Sequence, residues 1–330
     1  MPFPPVSRPF KRPNIVLGSR GKILVIRGGA IGDFILTLPV LSALRQQFPH
    51  AHLEVIGYSH IAQLALTGGL VDQVRSIEAR ALAGFFARNA GLDEKLAEYF
   101  SNFALIVSYL YDPDEIFQSN VARSSKAQFI AGPHRPSESE DIHATQVFLK
   151  PLERLGIFDA DPIPRLDVRQ SFGLSEPRIN ARASSWLALH PGSGSPRKNW
   201  PEANWATLLQ RLQETTDINF LMIGGEAEGE RLMRLSAPVT PTRITLAQSL
   251  PLPELASRLS ACRAYIGHDS GITHLAAAVG LRGLVLWGAS NEKVWSPRSE
   301  RILMIRAPGE LSELSVEDVA SNVRSALVPA

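Results

Sequence analysis

The sequence predicts an α/β protein made of two Rossmann-like domains whose parallel sheets face one another across a cleft. Three observations carry this expectation. Short apolar runs alternate with helix-length amphipathic stretches along the 330-residue chain, the pattern of parallel strands joined by crossover helices. The runs form two groups, and between them "GIFDADPIPRLDVRQSFGLSEPRINARASS" (156–185) is polar, proline-punctuated and without helical period. At this length and 45% hydrophobic composition, two domains are expected rather than one.

In chain order, residues 1–22, "MPFPPVSRPFKRPNIVLGSRGK", are proline-rich and basic, with Arg8, Lys11, Arg12, Arg20 and Lys22. Such a composition cannot pack alone and is expected to form an extended arm, either a solvated tail or one resting on an anionic membrane surface. The N-terminal domain, 23–160, carries "KILVIR", "AHLEVIG", "DQVRSI", "FALIVSYL" and "AQFIAG" as strands. A linker follows at 161–184. The C-terminal domain, 185–330, carries "WLALHP", "INFLMIGG", "TRITLA", "RAYIGHD", "GLVLWG" and "RILMIRA". The closing "SVEDVASNVRSALV" has a serine ahead of Glu317 and Asp318 and apolar positions at helical spacing, which predicts a capped terminal helix. That helix is a candidate to pack back on the N-terminal domain.

Composition excludes some classes of function. Lys and Arg (34) nearly balance Asp and Glu (32), so no bulk electrostatic grip on nucleic acid is expected. The single cysteine, Cys262, sits in an apolar context and has no internal disulfide partner, which suits a reducing compartment and a place in the core. No segment approaches the ~20 apolar residues needed to span a bilayer, and the N-terminus lacks the apolar core of a signal peptide. A cytoplasmic protein is expected.

In open parallel sheets, ligands sit beyond the carboxyl ends of the strands, so the loops after strands are where chemistry is sought. Three stand out. The first, "RGGAIGD", offers Gly28, Gly29 and Gly32 and ends in Asp33. It departs from the GxGxxG pattern of dinucleotide binding. Asp33 reads either as the N-cap of the following helix or as a catalytic carboxylate around which glycines clear space. The second, "HPGSGSPRKNWP" (190–201), combines Gly192 and Gly194 with the hydroxyls of Ser193 and Ser195 and the cations Arg197 and Lys198. These are the ingredients of a diphosphate cradle. The third, "YIGHDSGITHLAAAVG" (265–280), places Asp269, Ser270 and Gly271 at a helix N-terminus, where backbone N–H groups and the helix dipole favour an anion. His274 follows as a contact to phosphate or sugar, or as a core histidine. Glu226, beyond the Gly224–Gly225 turn, is placed to accept ribose hydroxyls. His190, His268 and His274 show no spacing of a metal site. The acidic pair of "YDPDE", Asp112 and Asp114, reads as a turn.

Together these loops resemble glycosyltransferase family 9, the ADP-heptose:lipopolysaccharide heptosyltransferases. The resemblance implies a GT-B fold, with the acceptor on the N-terminal domain and an ADP-sugar donor on the C-terminal one, inversion at the anomeric centre, and no cofactor or metal. It implies that Asp33 is the catalytic base, that Ser193 and Lys198 meet the diphosphate, with Lys198 stabilising the departing charge, and that Glu226 meets the ribose. Asp269, Ser270, Gly271 and His274 fall on the family's Asp-Thr/Ser-Gly turn and its histidine. Leu250 falls where the family lines its adenine pocket. Gly194 stands where many members carry a second hydroxyl residue, and the basic segment facing an acidic lipid-linked glycan is represented only by Arg75, Arg80, Arg88, Arg123 and Arg135. A sugar-nucleotide epimerase, a nicotinamide-dependent oxidoreductase and a catalytically silent sugar-nucleotide or glycan-binding module are the rival readings.

Overall fold

Every one of the apolar runs becomes a strand in the computed structural model, which describes residues 21–168, 186–307 and 309–324. The basic arm up to residue 20 and the predicted linker from 169 onward lie outside the described residues. Strands β1 (Lys22–Arg27), β2 (His52–Gly57), β3 (Gln73–Ser76), β4 (Leu105–Ser108) and β5 (Gln128–Ala131) form one sheet in the order β3-β2-β1-β4-β5. Strands β6 (Trp186–His190), β7 (Asn219–Gly224), β8 (Ile244–Gln248), β9 (Ala264–His268), β10 (Gly283–Trp287) and β11 (Ile302–Arg306) form the other, in the order β11-β10-β9-β6-β7-β8. All pairings are parallel.

These orders place the three loops. The chain winds outward from β1 through β2 to β3 and then returns to the other side of β1 with β4; in the second sheet the same reversal falls between β6 and β9. Helices then diverge to opposite faces of the sheet, and a crevice opens at the carboxyl ends of the strands. The loop after β1 is "GGAIGD", and those after β6 and β9 are the two anion-type loops.

Alternation along the strands builds three cores. On β1, Ile23 and Val25 enter a cluster that also holds Ala188, Tyr265 and Leu275 of the second sheet and its helices. Leu24 and Ile26 point the other way, into an aromatic cluster with Phe85, Phe100 and Phe117. On β9, Tyr265 joins the shared cluster while Ala264 and Ile266 enter the cluster on the far face, with Trp200, Trp205 and Leu208. The two sheets therefore share one of their cores.

The terminal helix, Val316–Asn322, is capped as its sequence predicts, Ser315 Oγ accepting the Asp318 N–H at 3.1 Å. Its described turns pack on the second sheet and not on the N-terminal half. Val319 and Val323 lie one turn apart and meet the Leu208–Leu212 stripe of helix Glu202–Thr215, close to where the chain leaves β11.

The halves also meet where the short helix Ile31–Ile35 crosses helix Gly271–Ala278. A Cβ on Gly271 would lie 2.7 Å from the Ile31 Cβ and 3.0 Å from the Gly32 nitrogen. Away from that crossing, the His143 Nδ1 accepts the Thr145 N–H at 3.2 Å, which leaves the proton on Nε2 to donate to the Ser296 carbonyl at 2.8 Å. Backbone cannot yield as a side chain tip can, so Gly271→Ala should cost about 1–3 kcal/mol as overpacking. Gly194→Ala, whose Cβ meets nothing within 4 Å, should stay within about 0.5 kcal/mol of the parent. Thermal unfolding of the two variants checks the contrast, and equal stabilities would contradict it.

Candidate active site

The helix after β1 begins at Ile31, with Ala30 as its N-cap, so Asp33 is the third helical residue and not the cap. Its Oδ2 reaches back to accept the Ala30 N–H at 3.0 Å, which satisfies one orphan donor of the first turn. Gly29 makes room for this. It sits at φ +103°, and a Cβ there would come within 2.9 Å of Asp33 Oδ2. The other oxygen, Oδ1, faces Nη2 of Arg27 at 3.7 Å. Arg27 is buried at the end of β1, stacks over Phe148 at 4.4 Å, and donates through Nη1 to the His134 carbonyl at 2.7 Å. Burial draws its pKa below the ordinary guanidinium value, opposed by the Asp33 charge. Asp33 keeps 29% of its side-chain surface exposed, so one carboxylate both holds the helix and remains reachable.

The loops of the second sheet are tied to one another through histidines. His268 Nε2 accepts the Trp200 N–H at 2.9 Å, so its proton resides on Nδ1, which faces the Gly192 carbonyl at 3.3 Å. One buried imidazole thus fastens both ends of the 192–200 loop to β9. Burial lowers its pKa to about 3 and that of His190 to about 4, so both are neutral near pH 7. Within the loop, Ser193 Oγ donates to the Ser195 carbonyl at 2.7 Å. Lys198 Nζ lies 2.5 Å from Asp269 Oδ2, and Ser290 Oγ donates to the same oxygen at 2.5 Å. Ser270 caps helix Gly271–Ala278, its Oγ accepting the Thr273 N–H at 3.3 Å and meeting His190 Nδ1 at 3.2 Å. His274 lies buried against Gly32; burial outweighs the carboxylates of Asp269 and Asp33 and holds its pKa below the usual imidazole value.

These pieces converge. A recess of about 370 Å³ is lined by Asp33 from the first sheet and by Gly194, Lys198, Asp269, Ser270 and His274 from the second. It adjoins a cleft of about 1230 Å³ lined by Ser193, Gly194, Glu226, Ser270 and Gly271, with Gly29–Gly32 on the opposite wall. Leu250 lines neither and packs instead against the shared core. Of the five arginines, Arg135 lines the recess with Asp33. Arg75 stacks over Tyr99, Arg88 pairs with Asp114 at 3.1 Å, and Arg123 donates to the Ala90 carbonyl. Asp112 accepts the N–H groups of Phe117 and Gln118, which explains its place in "DPD" as a helix-start residue.

Sequence reasoning missed several cleft residues. Arg231 and Arg234 line the cleft from helix Gly229–Ser236, and both face Glu202, Arg234 at 2.7 Å and Arg231 at 3.6 Å. Glu228 accepts the Gly225 N–H at 2.6 Å and packs on Gly192 so closely that a Cβ there would overlap it. "GGEAEGERLMR" contains all three, but only the fold turns that helix toward the cleft. Arg27 had a signal: a charge closing an otherwise apolar strand just before a glycine loop.

A carboxylate on the first loop of one sheet, facing a lysine, a helix N-terminus and a nucleotide-sized cleft on another, defines a two-domain GT-B glycosyltransferase. A family model described as glycosyltransferase family 9 (heptosyltransferase) matches residues 146–323, and the chain belongs to this family. It is similar to lipopolysaccharide heptosyltransferase 3 of Escherichia coli, 22% identical over 318 residues that cover 87% of this chain and 89% of the relative. Its fold matches the family 9 glycosyltransferase of Veillonella parvula with a TM-score of 0.75 and 19% identity, over 94% of this chain and 98% of the other. It also matches the E. coli heptosyltransferase WaaC with ADP, with a TM-score of 0.73 and 18% identity, over 92% of this chain and 98% of the other. Among the described residues, no group of three or more His, Cys, Asp or Glu is placed to hold a metal ion, and no helix is long and apolar enough to cross a membrane.

The buried histidines have a thermodynamic consequence. His143 and His190 have folded pKa values of about 4 and His268 of about 3, against about 6.5 in the unfolded chain. Below that value the unfolded state binds more protons. Stability is therefore complete above about pH 6.5 and falls as the pH drops toward 4, by about 1.4 kcal/mol per pH unit for each histidine once well inside the window. Melting temperatures recorded from pH 7.5 down to 4.5 should decline steeply; a flat profile would show that these imidazoles are protonated in the folded protein.

Proposed function

We propose that this glycosyltransferase moves a heptose, or a related sugar, from an ADP-sugar to a hydroxyl of the lipopolysaccharide inner core or a similar glycan, with inversion and with Asp33 as general base. The reading rests on the convergence of Asp33 with Lys198, Asp269, Ser270 and His274 on one recess, although they come from different sheets. The names of the relatives support the sugar and the nucleotide. The half that contains the first sheet, 23–160, then carries the acceptor, and the half from 185 carries the donor. The work is cytoplasmic, at the face of the inner membrane, and involves no nucleic acid.

In this mechanism the acceptor hydroxyl gives its proton to the Asp33 carboxylate as its oxygen attacks the anomeric carbon. The bond from that carbon to the diphosphate breaks on the opposite side, and ADP leaves with the electron pair. Lys198 and the N-terminus of helix Gly271–Ala278 meet the charge that grows there, the role a metal fills elsewhere. Ser193 lies at the same cleft, and Glu226, exposed at its rim, is free to reach a ribose. An epimerase would need further acid–base groups around the sugar carbon. Asp269 is already engaged by Lys198 and Ser290.

Asp33→Asn preserves shape and keeps an oxygen for the Ala30 N–H, but an amide cannot take a proton. Turnover should fall by about 10² to 10⁴, while ADP still raises the melting temperature of the variant as it does that of the parent, and does so more than UDP, GDP or NAD. Near-normal turnover would reduce Asp33 to a helix-holding residue.

Lys198→Ala should weaken the ADP-sugar complex and also slow transfer, by about 1.5 to 3 kcal/mol in total, as expected for a lost charge-assisted contact. Steady-state kinetics with varied donor separate the two effects. Donor affinity and turnover that both stay at parent values would remove the lysine from the site.

A further inference from the structure

His190 closes β6 at the head of the 192–200 loop, and it lines the large cleft together with Ser193, Gly194, Ser270 and Gly271. We propose that His190 is a further donor-binding residue, presenting its Nε2–H as an uncharged hydrogen-bond donor to an oxygen of the sugar-nucleotide diphosphate. The assignment rests on the reading of that cleft as the donor site.

The hydrogens around Ser270 fix the tautomer. The Thr273 hydroxyl has a single hydrogen and donates it to the His268 carbonyl. The Tyr265 hydroxyl, 2.8 Å from Thr273 Oγ1, is therefore the donor in that pair. Ser270 Oγ accepts the Thr273 N–H at 3.3 Å, which leaves its own hydrogen two acceptors: Thr273 Oγ1 at 3.3 Å, which already receives Tyr265, and His190 Nδ1 at 3.2 Å. Nδ1 is the shorter contact and offers an unused lone pair. With Nδ1 accepting, the neutral imidazole carries its proton on Nε2. Burial draws the His190 pKa down to about 4, so the ring is neutral near pH 7.

Nε2 has an outlet. His190 is 5% exposed, and among the described residues the ring's hydrogen bond is the one to Ser270. The fully buried side-chain atoms left without a partner in the described structure are Arg27 Nε, Asn199 Oδ1 and Trp205 Nε1. His190 Nε2 is not one of them, so the surface this nitrogen retains belongs to the cleft that the residue lines.

Position supplies the partner. An anion seated on the N-terminus of helix Gly271–Ala278 lies beside Ser270, and one hydrogen bond joins Ser270 to His190. Nε2 and the N–H groups of the first helical turn therefore address the same ligand. A cation buried at this depth would carry a desolvation cost, whereas a neutral imidazole adds a donor without it. Tyr265 and Thr273 are fully buried beneath the pair, so the donor is oriented before any ligand arrives.

Two amides separate the nitrogens of the ring. His190→Gln keeps an N–H donor near the Nε2 position and gives up Nδ1, while His190→Asn keeps an acceptor for Ser270 near the Nδ1 position and gives up Nε2. Isothermal titration of the full-length protein with ADP should find His190→Asn and His190→Ala weakened about tenfold or more, with His190→Gln closer to the parent than either. A role confined to holding Ser270 predicts the reverse order. His190→Gln no better than His190→Asn, or parent-like affinity in His190→Ala, overturns the proposal. Replacing a buried ring can unfold a chain, so a crystal structure of the parent protein with ADP gives a reading free of variants. Nε2 should stand within about 3.2 Å of a phosphate oxygen; a nitrogen beyond hydrogen-bond reach of the diphosphate overturns the assignment. Failure of ADP to bind the parent protein would instead strike the donor reading.

Discussion

Everything at this site depends on how closely two helix starts approach each other. Helix Ile31–Ile35 and helix Gly271–Ala278 meet backbone to backbone, with Gly32 and Gly271 at the contact. A side chain on Gly271 would separate them, and with them the carboxylate of one sheet and the cationic loop of the other. The contact also buries His274 against Gly32, where desolvation keeps it uncharged beside two carboxylates. Packing here sets both the geometry and the charge state of the site.

Around that contact, hydrogen bonds divide the labour. His268 holds the 192–200 loop, His143 holds Ser296, at the end of the short helix Glu292–Trp295, to the first half, and Arg27 holds Asp33 to the His134 wall. The two histidines are buried with both ring nitrogens engaged, the condition for such groups to stabilise a fold, whereas buried Arg27 is held through its Nη atoms and its Nε has no hydrogen-bond partner among the described residues. Asn291 and Lys293 add bonds to Asp141 across the same seam, at 2.9 and 2.5 Å. The halves are thus joined by a shared apolar core, a glycine contact and a polar seam.

The strands were legible because each is a short apolar run bounded by turn residues, and the two-sheet division followed from where the runs stop. The three loops were legible because glycine, hydroxyl and charge together after a strand rarely serve packing. What could not be read was anything set by helix direction or by contact between the halves. The terminal helix shows the same apolar spacing whichever half it joins, and only the Leu208–Leu212 stripe decides. Asp33 was placed at the helix start but not at its third position, since cap and third-position aspartates both suit a first turn. Leu250 was set by resemblance alone, and its side chain turns to the core.

Lys198 and Ser290 both meet the same oxygen of Asp269, each at 2.5 Å. If this lysine holds a diphosphate, as proposed, an incoming anion must compete with Asp269 for it. A single orthophosphate would loosen that carboxylate for one contact, whereas two linked phosphates would reach the helix start and the lysine together. On that reading the built-in carboxylate favours a nucleoside diphosphate over the surrounding salt before any base or sugar is recognised.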